Sequence, residues 1–122
     1  MPSKKILIVD DDANFIGLLR DYFKSMGYEV RAAESAETGM RLFTKHRPRA
    51  VLLDFNMPMI SGDKFLPVLQ GIDPMVKVIV ISGCIREQVE EKFQGLGYFA
   101  FFEKGTLSLQ KLKEKVDEAL NY

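Results

Sequence analysis

The chain has 122 residues, of which 47% are hydrophobic and 28% are charged, values typical of one folded, soluble domain. Lysine plus arginine and aspartate plus glutamate both number 17, so net charge gives no reason to expect nucleic acid or an anionic membrane. The single cysteine, Cys84, excludes a disulfide framework and a cysteine-rich zinc site. With a short polar start and no apolar run of membrane-spanning length, we expect a cytoplasmic protein.

Three short apolar runs predict strands that are buried on both faces, because their hydrophobic residues do not alternate with polar ones. These runs are ILIV at 6–9, VLL at 51–53 and VIVI at 78–81. Two weaker strands are predicted at 28–33 and 98–102. Strands buried on both faces are typical of a parallel sheet that is covered by helices.

Apolar residues at helical spacing predict a helix after each strand. The predicted helices cover 13–26, 36–46, 63–71, 86–95 and 107–121. Strand and helix therefore alternate about five times, which indicates an α/β fold with a parallel sheet and right-handed crossovers. No linker, repeat or low-complexity segment interrupts the pattern, so we expect one domain over 1–122.

Charged and polar residues follow four of the five predicted strands. They are Asp10, Asp11 and Asp12 after the first strand, Asp54 after the third, Ser82 after the fourth, and Glu103 and Lys104 after the fifth. Because parallel strands end on the same edge of a sheet, we expect these residues to meet at one rim, where α/β folds bind their ligands.

The chemistry of such a rim points to phosphoryl transfer. Clustered carboxylates repel one another unless they bind protons or share a cation, and their oxygen atoms suit Mg²⁺. A carboxylate beside that ion is a feasible nucleophile toward phosphorus, and Asp54 is the candidate. Lys104 and Ser82 are candidate donors to the phosphoryl oxygens. An alternative for Asp12 is that it caps the next helix.

Four segments together resemble the receiver domains of bacterial two-component response regulators, in particular the chemotaxis-regulator-like ones. They are ILIVDDD (6–12), LLDFNMPMISG (52–62), VIVISG (78–83) and FFEKG (101–105). The resemblance covers essentially the whole chain, 1–122. It implies a doubly wound, flavodoxin-like fold with strand order 2-1-3-4-5 and helices on both faces.

The resemblance also implies a function and its site. Asp54 matches the phosphoacceptor, and Asp10 and Asp11 match the acidic pair that holds Mg²⁺ together with Asp54 and the backbone carbonyl of Asn56. Such domains accept a phosphoryl group from a sensor histidine kinase or a phosphotransfer protein. They catalyse only their own phosphorylation and dephosphorylation, and they then act on a downstream effector or output domain.

The switch that the resemblance implies involves Ser82, Lys104 and Phe101. The Ser82 hydroxyl moves to the phosphoryl group, Lys104 pairs with a phosphoryl oxygen, and Phe101 fills the space that Ser82 leaves. The face expected to change consists of the helix 86–95, the strand 98–102 and the helix 107–121. Because its charge is balanced, we expect the chain to make no direct contact with nucleic acid or membrane, and we expect a monomer or a weak homodimer.

One position departs from the pattern of that family, in which proline usually follows the lysine, often after a cis bond. Here Gly105 follows Lys104. Because a cis bond before a residue other than proline costs about 2.5–4 kcal/mol, we expect a trans bond at this position.

Parts of the sequence are also compatible with two other functions. A Mg²⁺-dependent aspartyl-nucleophile phosphatase carries an Asp-x-Asp pair after its first strand, which Asp10 and Asp12 imitate, with Asp10 as the nucleophile. The chain has no cap domain to enclose a substrate, which argues against that function. The other alternative is a pseudo-receiver that binds partners without phosphorylation; only Gly105 favours it, because every chemical position is filled.

Overall fold

The apolar runs form a single parallel sheet. A computed structural model describes residues 4–84 and 86–120 of the chain. Its strands are β1 (Lys5–Val9), β2 (Glu29–Ala33), β3 (Ala50–Asp54), β4 (Lys77–Ser82) and β5 (Ala100–Glu103). All neighbouring strands run parallel, in the order β2-β1-β3-β4-β5. The predicted fold class and strand order are confirmed.

Five helices follow the strands. They are α1 (Ala13–Ser25), α2 (Ala36–His46), α3 (Gly62–Ile72), α4 (Arg86–Phe93) and α5 (Leu109–Ala119). Within the described residues, none of these helices is both long and apolar enough to cross a membrane. A 3-10 turn at Lys104–Thr106 separates β5 from α5.

Most element ends lie within one residue of the predicted bounds, and three differ by two residues. Helix α4 stops at residue 93 rather than 95, and Gly95 adopts a positive φ of 78°. Helix α5 starts at residue 109 rather than 107 because the Ser108 hydroxyl caps it by accepting the N–H of Lys111. Its predicted last residue, 121, lies outside the described residues. Strand β5 covers 100–103 rather than 98–102, since pairing with β4 runs from Ala100 to Glu103.

Each face of the sheet carries its own hydrophobic core, because side chains alternate along buried strands. Ile6 and Ile8 of β1 pack with α1 and α5, whereas Leu7 and Val9 pack with α2, α3 and α4. The layers are therefore helix, sheet and helix. The carboxyl ends of the parallel strands lie together at one edge of the sheet, and this rim carries the candidate site.

Candidate functional site

Three carboxylates lie together at the carboxyl ends of β1 and β3. Asp10 and Asp11 follow β1, and Asp54 is the last residue of β3; one oxygen from each lies within 4.8 Å of the others. Asp10 and Asp54 are 2% and 4% exposed, whereas Asp11 faces solvent. Oxygen ligands at this spacing could hold a divalent cation such as Mg²⁺. The convergence of these residues, predicted from the strand ends, is found in the fold.

The environment of Asp54 disfavours its charged form. Burial raises its pKa to about 7, and the negative charge of Asp10 adds to this effect. The Lys104 ammonium and the backbone N–H of Asn56 act in the opposite direction but do not cancel the rise. A cation at the cluster would favour ionised Asp54, so the site is electrostatically suited to bind one.

Lys104 brings a positive charge to the same cluster. Its Nζ lies 2.8 Å from Oδ2 of Asp10 and 3.8 Å from Oδ2 of Asp54. Burial lowers the pKa of Lys104, but the hydrogen bond to Asp10 and the charge of Asp54 outweigh burial, so its pKa is raised. The ammonium therefore stays charged between the two buried carboxylates. The peptide bond to Gly105 is trans, as predicted.

Ser82 ends β4 beside the strand that carries Asp54. Asp54 pairs with Ile81 in the β3–β4 register, so Ser82 lies one position further along the neighbouring strand. The residue is fully buried, and its Oγ accepts the N–H of Cys84 at 3.0 Å. In this bond the hydroxyl oxygen is the acceptor, so the hydroxyl proton remains available for donation to a group bound at the carboxyl ends of the strands.

The loop after Asp54 folds back tightly against the site. A Cβ at Gly62 would lie 2.5 Å from the Asp54 carbonyl oxygen and 3.0 Å from Cα of Phe55, so only glycine fits. The N–H of Gly62 donates to the Phe55 carbonyl at 2.8 Å. Nearby, the side-chain amide of Asn56 contacts the Cys84 sulfur at 3.4 Å and links the β3–α3 and β4–α4 loops.

Asp12 serves α1 and does not join the acidic cluster. Its Oδ1 accepts the N–H groups of Asn14 and Phe15 at 3.0 and 3.1 Å, as an N-cap does. Its own N–H donates to Oδ1 of Asp10 at 2.9 Å, which helps orient that carboxylate. The capping alternative for Asp12 is therefore correct, and Asp12 is not placed to act with Asp10 as the pair of a phosphatase.

Phe101 lies on the α4 side of the sheet, three residues before Lys104. Its ring packs edge-on against Phe93 and Tyr98, with centroids 6.5 and 6.3 Å apart, and the Arg86 guanidinium lies 5.5 Å from its centroid. The side chain is half-buried. Phe101 thus connects the strand that leads to Lys104 with helix α4.

Sequence reasoning missed two contacts of the rim. The Phe15 ring centroid lies 4.5 Å from Lys104 Nζ, and the Glu103 carboxylate accepts the N–H of Arg86 at 2.8 Å. The sequence identifies Phe15 only as one member of the apolar stripe of its helix. Both contacts join residues far apart in the chain, so only the tertiary fold reveals them.

Comparison with known proteins agrees with this geometry. Residues 6–117 match the family model described as the response regulator receiver domain. The chain belongs to this family. As a receiver domain of the two-component response regulators, it has a phosphoacceptor signalling role. The phosphatase alternative is thereby left without support.

Two relatives and one solved structure illustrate the match. The receiver domain is 29% identical over 120 residues to sporulation initiation phosphotransferase F of Bacillus subtilis, covering 98% of this chain and 96% of that protein. It is 34% identical over 94 residues to the transcriptional regulatory protein PrrA of Mycobacterium tuberculosis, covering 77% of this chain but only 40% of PrrA. A CheY-like receiver domain protein from Methanospirillum hungatei superposes with a TM-score of 0.90 at 27% identity, over 98% of this chain and 94% of that one.

Proposed function

We propose that Asp54 is the residue that accepts the phosphoryl group, and that the donor is a sensor histidine kinase or a phosphotransfer protein. The observation that carries this proposal is the meeting of two buried carboxylates with one ammonium. Lys104 Nζ lies 2.8 Å from Asp10 and 3.8 Å from Asp54. Asp54 is the carboxylate that ends a central strand, at the rim where α/β sheets bind their ligands.

Mg²⁺ is the proposed cofactor, and the donor set fits it. Asp10, Asp11 and Asp54 offer carboxylate oxygens within 4.8 Å of one another, and the backbone carbonyl of Asn56 is the further ligand in this proposal. When bound, Mg²⁺ supplies neutralising charge to the carboxylates and to phosphoryl oxygens. The raised pKa of Asp54 supports the proposal, because a buried carboxylate among like charges is stabilised by a cation.

The residues of this chain have distinct roles in the transfer. An oxygen of Asp54 attacks phosphorus, the new O–P bond forms as the P–N bond to the donor histidine breaks, and the imidazole leaves with the electron pair and takes a proton from solvent. Lys104 turns part of its hydrogen bonding from Asp10 to a phosphoryl oxygen, and the Ser82 hydroxyl donates to another. The chain acts only on itself, by gaining and losing this group.

The same two contacts are the proposed origin of the switch. When Ser82 turns toward the phosphoryl group, space opens on the side of the sheet where Phe101 lies, and the Phe101 ring moves into it. Because Phe101 packs on Phe93 of α4, its movement alters the face built by α4, β5 and α5. A downstream protein in the cytoplasm reads that face, without direct contact of this domain with nucleic acid or membrane; the domain is a monomer or a weak homodimer.

Intact-mass measurement tests the acceptor directly. The protein is incubated with acetyl phosphate and Mg²⁺, and masses are recorded from short times onward to catch rapid hydrolysis. We expect one phosphoryl increment that is absent with EDTA and absent in Asp54→Asn. Asp63→Asn is the matched control, because Asp63 lies in the first turn of α3, outside the cluster, and accepts the Ser61 hydroxyl; it should still gain the increment.

Each contrary result has a definite meaning. An increment that persists in Asp54→Asn would move the acceptor to another carboxylate, with Asp10 first. No increment in the parent at any time point would favour the pseudo-receiver, a module that binds its partner without phosphorylation.

A further inference from the structure

The backbone after Lys104 gives that side chain little support. The next residue is Gly105, where a Cβ would meet nothing within 4 Å, and both Gly105 and Thr106 are exposed. The 3-10 turn that they form is a single turn of three residues. Lys104 also has a long, flexible side chain, which loses conformational entropy when it is ordered. Contacts of the side chain itself must therefore hold its ammonium in place.

The ammonium makes three such contacts. Two are ion pairs, with Asp10 at 2.8 Å and with Asp54 at 3.8 Å. The third is with the ring of Phe15, whose centroid lies 4.5 Å from Nζ, within the range in which an aromatic face attracts a cation. The Lys104 side chain is 21% exposed, so water screens this attraction only partly.

The position of the ring is itself fixed. Phe15 is the third residue of α1, and its N–H donates to the capping carboxylate of Asp12 at 3.1 Å. Its side chain is half-buried and packs against the core between α1, α5 and the sheet. The ring is thus anchored by both its backbone and its packing, and the Lys104 ammonium lies against it.

We propose that Phe15 is a positioning residue for Lys104, and that its ring holds the ammonium at the acidic cluster in place of support from the backbone. A ring face attracts the cation but accepts none of its three N–H donors in a fixed direction. The Lys104 ammonium can then shift from Asp10 toward a phosphoryl oxygen without losing its contact with the Phe15 ring. This inference rests on the role proposed above for Lys104.

A spectroscopic experiment tests the contact without any phosphorylation. Protons above a ring face are shifted upfield, so the ε-methylene protons of Lys104 should lie upfield in the parent protein and in Phe15→Tyr. In Phe15→Leu, which keeps an apolar side chain but removes the ring, the signal should return to the position of an ordinary lysine. Loss of the signal in Lys104→Arg identifies it.

A second experiment measures the consequence for the reaction. Phe15→Leu should slow phosphorylation by acetyl phosphate and Mg²⁺ by about two- to fivefold, the effect of one partly exposed cation–π contact. Phe15→Tyr should restore the rate. Phe99→Leu is the matched control, because it removes a ring that lies 5.8 Å from Lys77 Nζ at the other end of the sheet; its rate should equal that of the parent.

The outcomes distinguish a positioning role of the Phe15 ring from a role in packing alone, and from failure of the proposed phosphorylation of Asp54. An unshifted Lys104 signal in the parent, or equal slowing by leucine and tyrosine, would overturn the proposal. If Asp54 gains no phosphoryl group at all, the spectra still test the contact between Phe15 and Lys104. A double-mutant cycle of Phe15→Leu and Lys104→Met, measured by urea unfolding, tests it independently. A favourable coupling supports the proposal and zero coupling refutes it.

Discussion

At the scale of single residues, Asp54 shows how position creates reactivity. An exposed aspartate is fully ionised at neutral pH, whereas this one has a pKa of about 7 because of burial and the adjacent charge of Asp10. Burying this carboxylate beside another negative charge costs folding free energy, and a bound cation can relieve part of that cost. The site is therefore less stable alone than occupied.

This cost predicts a pH dependence of stability. The pKa of Asp54 is about 7 in the folded state, against about 3.9 in the unfolded chain, so the folded state binds more protons between these values. Without Mg²⁺, stability should fall as pH rises from about 4 through 7. Asp54→Asn removes this loss and should raise the free energy of unfolding at pH 8 by about 1–2 kcal/mol, with less effect at pH 5.

Urea unfolding in EDTA at the two pH values measures the difference. Asp63→Asn serves as the control, since it removes a carboxylate outside the cluster. If Asp54→Asn stabilised the protein equally at pH 5 and pH 8, titration of Asp54 would not be the cause.

At the scale of elements, helix ends build the site. Asp12 caps α1 and so fixes both Asp10, through its N–H, and Phe15, through its carboxylate. Glu103 at the end of β5 accepts the N–H of Arg86 and so ties the start of α4 to the residue before Lys104. The loops at the rim are therefore held by hydrogen bonds to carboxylates as well as by packing.

The two glycines of α3 should respond in opposite ways to alanine. Gly62→Ala places a methyl group 2.5 Å from the Asp54 carbonyl and should destabilise the fold by about 1–3 kcal/mol. Gly71→Ala meets nothing within 4 Å and should be neutral or stabilising by up to about 1 kcal/mol, the difference in helix propensity. Thermal or urea unfolding of both variants checks this. Similar effects at the two positions would show that the close approach at Gly62 is relaxed in solution.

At the scale of the whole molecule, we propose that phosphorylation at the centre of the sheet affects the packing at one edge. Asp54 lies on the central strand β3, while Phe101 lies on the edge strand β5 and packs against α4. Helix α4 is short, spanning 8 residues, and buries only Val89 and Phe93, so we expect it to respond to a change in the packing of Phe101. The opposite edge, β2 with α2, has no part in this chain of contacts.

Nitrogen-15 chemical shifts should map that asymmetry. With acetyl phosphate and Mg²⁺, we expect shift changes over α4, β5 and α5 as well as around Asp54, and little change over α2 and β2. The same additions to Asp54→Asn are the control, because they report Mg²⁺ and acetyl phosphate alone. Changes confined to the rim would rule out the relay through Phe101.

The sequence by itself determined the fold and the residues of the rim. Short, unbroken runs rich in β-branched residues are typical of strands buried on both faces, and parallel strands share one edge, so Asp10, Asp54 and Lys104 were expected to converge. The strand order came from resemblance to the receiver family, and the order β2-β1-β3-β4-β5 confirms it.

Only the tertiary structure decided how each side chain is used. Asp11 and Asp12 are adjacent aspartates after the same strand, and the sequence left the role of Asp12 open; the fold shows that Asp12 caps α1 whereas Asp11 joins the acidic cluster. In the sequence Phe15 is one member of an apolar stripe. In the fold its ring centroid lies 4.5 Å from Lys104 Nζ. These outcomes depend on the distances between residues remote in the chain, which no local pattern of hydrophobicity or charge encodes.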